Sequence, residues 1–167
     1  SNFSVEQMER IREITPVASL QPPYSMLRRE VEDAILDYCA QNDIGVVAYS
    51  PMQRGLLTGK FSQERLAGLP LDDHRRRSPD FHEPQLTATL QFVDRLRPIA
   101  ERNGRTLAQL VISWVLRRAE VTAAIVGARR PDQIAETAPA SDFELSAEDV
   151  EEIEQLLAER LKKIANA

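Results

Sequence analysis

Cysteine and histidine are almost missing from this sequence. The single Cys39 excludes an internal disulfide, and His74 and His82 lie in a polar stretch without Cys or His partners at ligand spacing, so no metal site is expected. Cys39 falls at an apolar position of an expected helix and reads as a core thiol in a reducing compartment; the cytoplasm is the expected location. No apolar run approaches the length of a membrane span, and the first residues carry neither the basic nor the apolar region of a signal segment, so no membrane partner is expected. Positive charge is not in excess either. A net charge of −5 argues against a general nucleic-acid binder, whose affinity would rest on neutralising phosphates. What is there is 43% hydrophobic and 28% charged over 167 residues, the composition of a globular protein with one domain and a real core, residues 1–167.

The most informative stretch is Gly45 to Lys60, GVVAYSPMQRGLLTGK. Gly45-Val46-Val47-Ala48 is too short and too β-branched for a helix and is bounded by turn residues, which predicts a buried parallel strand. Tyr49 and Ser50 then sit at its carboxyl end, the face where parallel α/β proteins bind ligands. From Pro51 to Lys60, a bent segment containing Gly55 and Gly59 offers backbone N–H groups and a cation, a composition suited to a phosphate; an ordinary connecting loop has the same composition.

On either side of it the chain alternates helices and strands. Ser4 and Gln7 form a capping box before the apolar stripe Val5, Met8 and Ile11, predicting a helix over 4–13. Val17 to Leu20 reads as a strand ended by Gln21 and Pro22-Pro23. Val31, Ile35, Tyr38 and Cys39 recur at helical spacing, predicting one helix from Arg28 to Gln41. Residues 61–85 are polar and lack a period, which predicts a long loop with room for one short helix, and Arg75-Arg76-Arg77 within it is either a solvated charge run or a closure over a bound anion. Two helices follow: one ends near Asn103-Gly104, and the next is capped by Thr106 and carries the stripe Leu107, Leu110, Val111, Trp114 and Val115. That stripe occupies the face a DNA-recognition helix would need exposed, which argues against a helix-turn-helix. Ala123 to Val126 is a third strand, and Gly127-Ala128-Arg129-Arg130-Pro131 leads from it into a helix, another anion-binding composition. Ser146 opens the last helix, with Val150, Ile153, Leu157, Leu161 and Ile164 on one face. The pattern predicts a parallel sheet built from βα units, with three strands that leave open edges.

Taken in order, Ser1-Asn2-Phe3, Gln21-Pro22-Pro23-Tyr24-Ser25, Tyr49-Ser50-Pro51, Arg54 to Lys60, the arginine-rich loop leading to Phe81, the Gln109 to Leu116 helix and Ile125 to Arg129 resemble the C-terminal half of an aldo-keto reductase over essentially all 167 residues. The resemblance implies an α/β fold that is part of a (β/α)8 TIM barrel, with about three parallel strands and flanking helices. It implies NADPH as cofactor, bound along the strand ends without a GxGxxG turn, and that turn is absent here. It implies that Ser1, Asn2 and Gln21 hold the nicotinamide carboxamide and that Tyr49 stacks on its ring. Ser50, Pro51, Gln53, Gly55, Leu56 and Lys60 would line the pyrophosphate, mainly through main-chain groups. Gly127, Ala128, Arg129 and Gln133 would take the 2′-phosphate, and Glu136 and Thr137 would face the adenine. Gln133 and Thr137 depart from the residues many members carry there, Arg and Asn.

The family's catalytic Asp, Tyr, Lys and His belong to the first four strands and have no counterpart here, so no catalytic residue is expected in this chain. The abrupt opening on Ser1 reads as a chain cut from something longer. The expected function is a part of an NADPH-dependent reductase of aldehydes or ketones, inactive in isolation. The alternatives are a non-catalytic NADPH-binding or interaction module and one half of a two-chain reductase. Open strand edges predict self-association or pairing with an N-terminal half.

Overall fold

The computed structural model describes residues 1–167. Its elements are α1 (Val5–Arg12), β1 (Ser19–Leu20), α2 (Ile35–Gln41), β2 (Gly45–Tyr49), α3 (Gln63–Ala67), α4 (Gln85–Arg102), α5 (Leu107–Leu116), β3 (Val121–Ile125), α6 (Pro131–Thr137) and α7 (Ala147–Ala165). The three strands form one parallel sheet in the order β1-β2-β3. Ser19 pairs with Gly45, and Tyr49 pairs with Ile125. Parallel pairing sets all three carboxyl ends on one side, so the residues that follow each strand meet there.

One face of the sheet is packed. Leu20, Val46 and Ala48 join Met8, Leu96, Leu110, Trp114 and Ile153 in a single apolar cluster. α5 is buried along nearly its whole length, from Leu107 to Val115, which leaves no face to enter a DNA groove. The other sheet face and the β3 edge are open: Ser19, Thr122, Ala123 and Ile125 are exposed. Thr106 and Gln109 form the capping box that starts α5, and Ser146 caps α7 through the Asp149 amide.

Four expectations change. The helix expected from Arg28 to Gln41 is broken into a 3-10 turn at Glu30–Glu32 and α2, with Ala34 outside helical geometry between them. Here tertiary pairing overrides periodicity. Glu32 accepts hydrogen bonds from Tyr24 and Arg29, and Arg29 and Arg117 also approach Glu154 on α7. The ladder at β1 shrinks to two residues, and β3 begins at Val121 rather than Ala123. The loop over 61–85 agrees with expectation in holding one short helix, α3, to which it adds two 3-10 turns, His74–Arg77 and Pro79–Phe81. On α7 the inward face is Ile153, Leu156, Leu157 and Arg160, while Leu161 is 61% exposed; Arg160 lies inward because its Nε donates to Thr89 Oγ1 on α4 at 3.0 Å.

The ion cluster at the end of α5 is the polar centre of the fold. Arg117 lies 3.7 Å over the Trp114 ring and donates to the Tyr24 hydroxyl at 3.0 Å. Burial, reinforced by the bond to Glu32, pushes the Tyr24 hydroxyl pKa well up, so it stays protonated. For Glu32 burial acts upward, but the bonds from Arg29 and Tyr24 and the nearby guanidinium charges outweigh it and hold the carboxyl below its usual range. On Asp149, burial is likewise outweighed by bonds from Arg102, Asn103 and Ser146.

Both carboxyls have folded pKa values below their unfolded ones. Their stabilisation is therefore complete above the unfolded values, roughly pH 4, and is lost as the pH falls through the folded values. Glu32→Gln is expected to cost about 1–3 kcal/mol in urea denaturation at pH 7, because it leaves Arg29 and Arg117 under-paired. The difference from wild type should narrow below about pH 4 as the native carboxyl protonates. An unchanged midpoint at pH 7 would contradict this role.

Candidate functional site

The chain leaves β2 through a backbone that most side chains avoid. Ser50, Gln53 and Arg54 all have positive φ, at 55°, 46° and 55°, before Gly55 at 98°. Each non-glycine residue in this left-handed region costs about 1–2 kcal/mol, and such clusters occur where a site over-determines its geometry. Interior contacts hold the turn. Gln53 is buried; its Oε1 accepts from Ser25 Oγ at 2.9 Å, and its Nε2 donates to Asp80 Oδ2 at 2.7 Å. Leu56 and Leu57 are fully buried beneath it. Gly59, at φ 70°, abuts α5 so closely that a Cβ would lie 2.4 Å from Leu107 Cδ1.

This turn forms the floor of a trough of about 660 Å³, whose far wall is the segment after β3 and α6. Tyr49, Ser50, Pro51, Gly55 and Lys60 line it from one side, and Gly127, Ala128, Arg129, Gln133, Glu136 and Thr137 from the other. Asn2 and Gln21 gather beside Tyr49: the Tyr49 hydroxyl donates to Asn2 Oδ1 at 3.2 Å, and the Asn2 amide donates to the Gln21 carbonyl at 3.2 Å. Ser1 is exposed next to Asn2. Gln53 and Leu56, expected along the pyrophosphate, do not line the trough: both side chains are buried, Gln53 against Ser25 and Asp80 and Leu56 in the apolar cluster with Phe61 and Phe81.

Five cations line the trough, Arg54, Lys60, Arg65, Arg75 and Arg129, against the single carboxylate of Glu136, in a chain whose net charge is −5. Lys60 Nζ reaches Glu136 Oε2 at 2.9 Å and bridges the two walls. Arg54 and Arg129 make no ion pair or side-chain hydrogen bond, so both guanidinium groups are available to an anion. At the start of α6, Gln133 Oε1 accepts from the Arg129 amide at 2.7 Å and the Arg130 amide at 3.2 Å. Those amides are therefore taken, and the Arg129 side chain is the group that can meet a ligand. The Thr137 hydroxyl donates to the Gln133 carbonyl.

Sequence reading overlooked Arg54 and Arg65 as lining residues. Arg54 lay inside a recognised motif, but its left-handed backbone has no signature outside glycine. Arg65 sits on α3, where its Nη1 donates to the Lys60 carbonyl at 2.8 Å and its guanidinium faces Phe61. The long loop is fastened at both ends by Phe61 and Phe81, packed edge to face at 5.1 Å on Leu56 and Leu86. The free thiol Cys39 is buried, its pKa raised by desolvation, and no group of metal-ligating side chains exists.

Gln53→Leu would leave Ser25 and Asp80 without their buried partner. It is expected to lower stability by about 1–3 kcal/mol and to raise amide exchange over 50–58 and 78–81 before the rest of the chain. Uniform exchange with unchanged stability would show that the turn does not depend on this side chain.

A sequence model of the Aldo/keto reductase family matches residues 1–158. Aldo-keto reductase YhdN of Bacillus subtilis is 35% identical over 158 residues, 94% of this chain and 47% of its own length. L-glyceraldehyde 3-phosphate reductase of Escherichia coli O157:H7 is 32% identical over 171 residues, covering 95% of this chain and 48% of its own. Among solved structures, the glycerol dehydrogenase AKR11B4 from Gluconobacter oxydans superposes with a TM-score of 0.88 at 34% identity, over 95% of this chain and 48% of that one. The chain thus spans about half the length of the relatives it matches, and its three parallel strands with flanking helices are part of a (β/α)8 barrel. With the motifs in order, the strand tips gathered on one trough and a family match across nearly every residue, the chain belongs to the aldo/keto reductase family.

Proposed function

We propose that this chain is the cofactor-holding part of an NADPH-dependent reductase of aldehydes or ketones, and that the proton for the carbonyl oxygen comes from residues outside it. One observation carries most of this: a cation-lined trough in an acidic protein, running from an aromatic ring at a strand tip to an unpaired arginine. A dinucleotide has that pattern, with a flat ring at one end and phosphates along its length. When bound, NADPH supplies a hydride to a carbonyl carbon. Tyr49 offers a flat face that covers one side of a ring, with Asn2, Gln21 and Ser1 as polar neighbours. The segment from Ser50 to Lys60 lies along the phosphates, and Gly127, Ala128, Arg129, Gln133, Glu136 and Thr137 make the adenosine end. The Arg129 guanidinium favours a 2′-phosphate over a bare hydroxyl, because a hydroxyl would leave its charge unmatched.

No tyrosine of the chain is set up as a proton donor. Tyr24 is enclosed by Glu32 and Arg117 with its pKa raised, Tyr38 accepts from Arg12, and Tyr49 bonds to Asn2. None has a lysine beside it to lower its pKa, as general acid chemistry near neutral pH requires. The open sheet face and β3 edge favour a partner: a second copy, or a polypeptide supplying the remaining strands.

Fluorescence titration of the chain is expected to show saturable NADPH binding, with Arg129→Ala weakening NADPH about 10- to 100-fold and changing NADH little. Equal effects on both nucleotides would remove Arg129 from the phosphate site. The chain purified free of any longer form is expected to give no turnover with NADPH and a generic aldehyde; measurable turnover would refute the external proton source. Light scattering is expected to show a dimer or larger assembly, and a monodisperse monomer would contradict pairing at the open edge.

A further inference from the structure

Beside the trough lies a second cavity of about 520 Å³, whose wall is charged or polar apart from Pro70. Arg54, Arg75 and Arg129 line both cavities. The three arginines come from separate segments: the left-handed turn after β2, the long loop, and the stretch after β3. Pro70, Asp72, Asp73 and His74 complete the wall. Asp73 matches the charge of Arg75 and leaves Arg54 and Arg129 unpaired. Both oxygens of Asp73 are occupied by Arg75, whose Nε reaches Oδ1 at 2.9 Å and whose Nη2 reaches Oδ2 at 2.6 Å. This side-on grip, through Nε and Nη2, holds the Arg75 plane in place and leaves Nη1 free. The Arg75 amide also donates to Asp73 Oδ1 at 3.0 Å, which fixes the turn that carries it. Asp72 forms no ion pair.

Arg54 has the more unusual setting. Its side chain is exposed and touches no acid, yet its backbone sits at φ 55° and ψ 27°, a conformation glycine would hold at lower cost. An exposed arginine kept there contributes nothing to packing. Its place in the wall of both cavities supplies a purpose.

We propose that Arg54 and Arg75, together with Arg129, form a three-guanidinium cage for a phosphomonoester dianion, so that the long loop takes part in choosing the cofactor. The proposal rests on the dinucleotide reading above and deepens it: the 2′-phosphate end is gripped from the β2 turn and the loop as well as from Arg129. Arg54 and Arg129 supply unmatched charge, and Arg75 supplies a donor whose direction is set by Asp73.

The test uses the chain itself with two small probes, adenosine 2′,5′-bisphosphate and AMP, which differ by the 2′-phosphate. Calorimetric titration is expected to give the bisphosphate an advantage of about tenfold or more in wild type. Arg54→Gly relieves the backbone and should fold at least as well, judged by circular dichroism and thermal midpoint, while cutting that advantage to within about threefold. Arg54→Lys should recover part of it, and Arg75→Ala should reduce it as Arg54→Gly does. If the advantage persists in Arg54→Gly and Arg75→Ala but falls in Arg129→Ala, the cage is wrong and the dinucleotide reading stands. If the variants weaken both probes equally, the arginines act on another phosphate and the cage is refuted. If wild type does not distinguish the probes, both the cage and a 2′-phosphate site in the trough fail.

Discussion

The backbone between Ser50 and Gly55 is the constraint on which the rest depends. Three non-glycine residues in left-handed geometry cost roughly 3–6 kcal/mol together. Full burial of Leu56 and Leu57 directly after them returns about 1.5–3 kcal/mol each, so the two nearly balance. What tips the balance is Gln53, whose side-chain amide joins Ser25 after β1 to Asp80 in the long loop. One buried amide therefore ties two separate segments to the turn that forms the trough floor. It also explains why a glutamine inside a loop motif is buried rather than presented to a ligand.

From that floor the electrostatics follow. The sheet sets Tyr49 and Ile125 side by side, so the segments leaving β2 and β3 must face each other across a gap. Cations line both walls and the loop above, while the chain's surplus of acids lies elsewhere. Many of those acids are engaged in holding helices together: Glu32 and Glu154 around Arg29 and Arg117, and Asp149 with Arg102 and Asn103 between α4 and α7. Clefts of one sign inside a protein of the other concentrate oppositely charged ligands, and here the ligand sign is negative.

Much of this was legible in the residues. Capping signals at Ser4, Thr106 and Ser146 located helix starts, and short β-branched runs located the strands and hence Tyr49 at a tip. Other features were not legible because their causes are tertiary. Nothing local marks Gln53 or Arg54 as left-handed, since the usual signal for that geometry is glycine. The break between Glu32 and Ile35 follows from charges 85 and more residues away, at Arg117 and Glu154. Periodicity placed Leu161 on the inner face of α7, but the helix turns Leu156 and Arg160 inward because Thr89 waits on α4. The motif residues identified the trough's two walls, and the arginine run flagged Arg75 as one of two readings; Arg65 had no local signal, because its place at the trough follows from how α3 packs.

The central claim is that the turns after β2 and β3 serve a single extended ligand. Hydrogen–deuterium exchange of the chain with and without saturating NADPH tests it most directly. The account predicts simultaneous protection at residues 49–60 and 125–137, with α1 and α7 unaffected. Protection confined to one of the two turns, or appearing only on the helices, would contradict it.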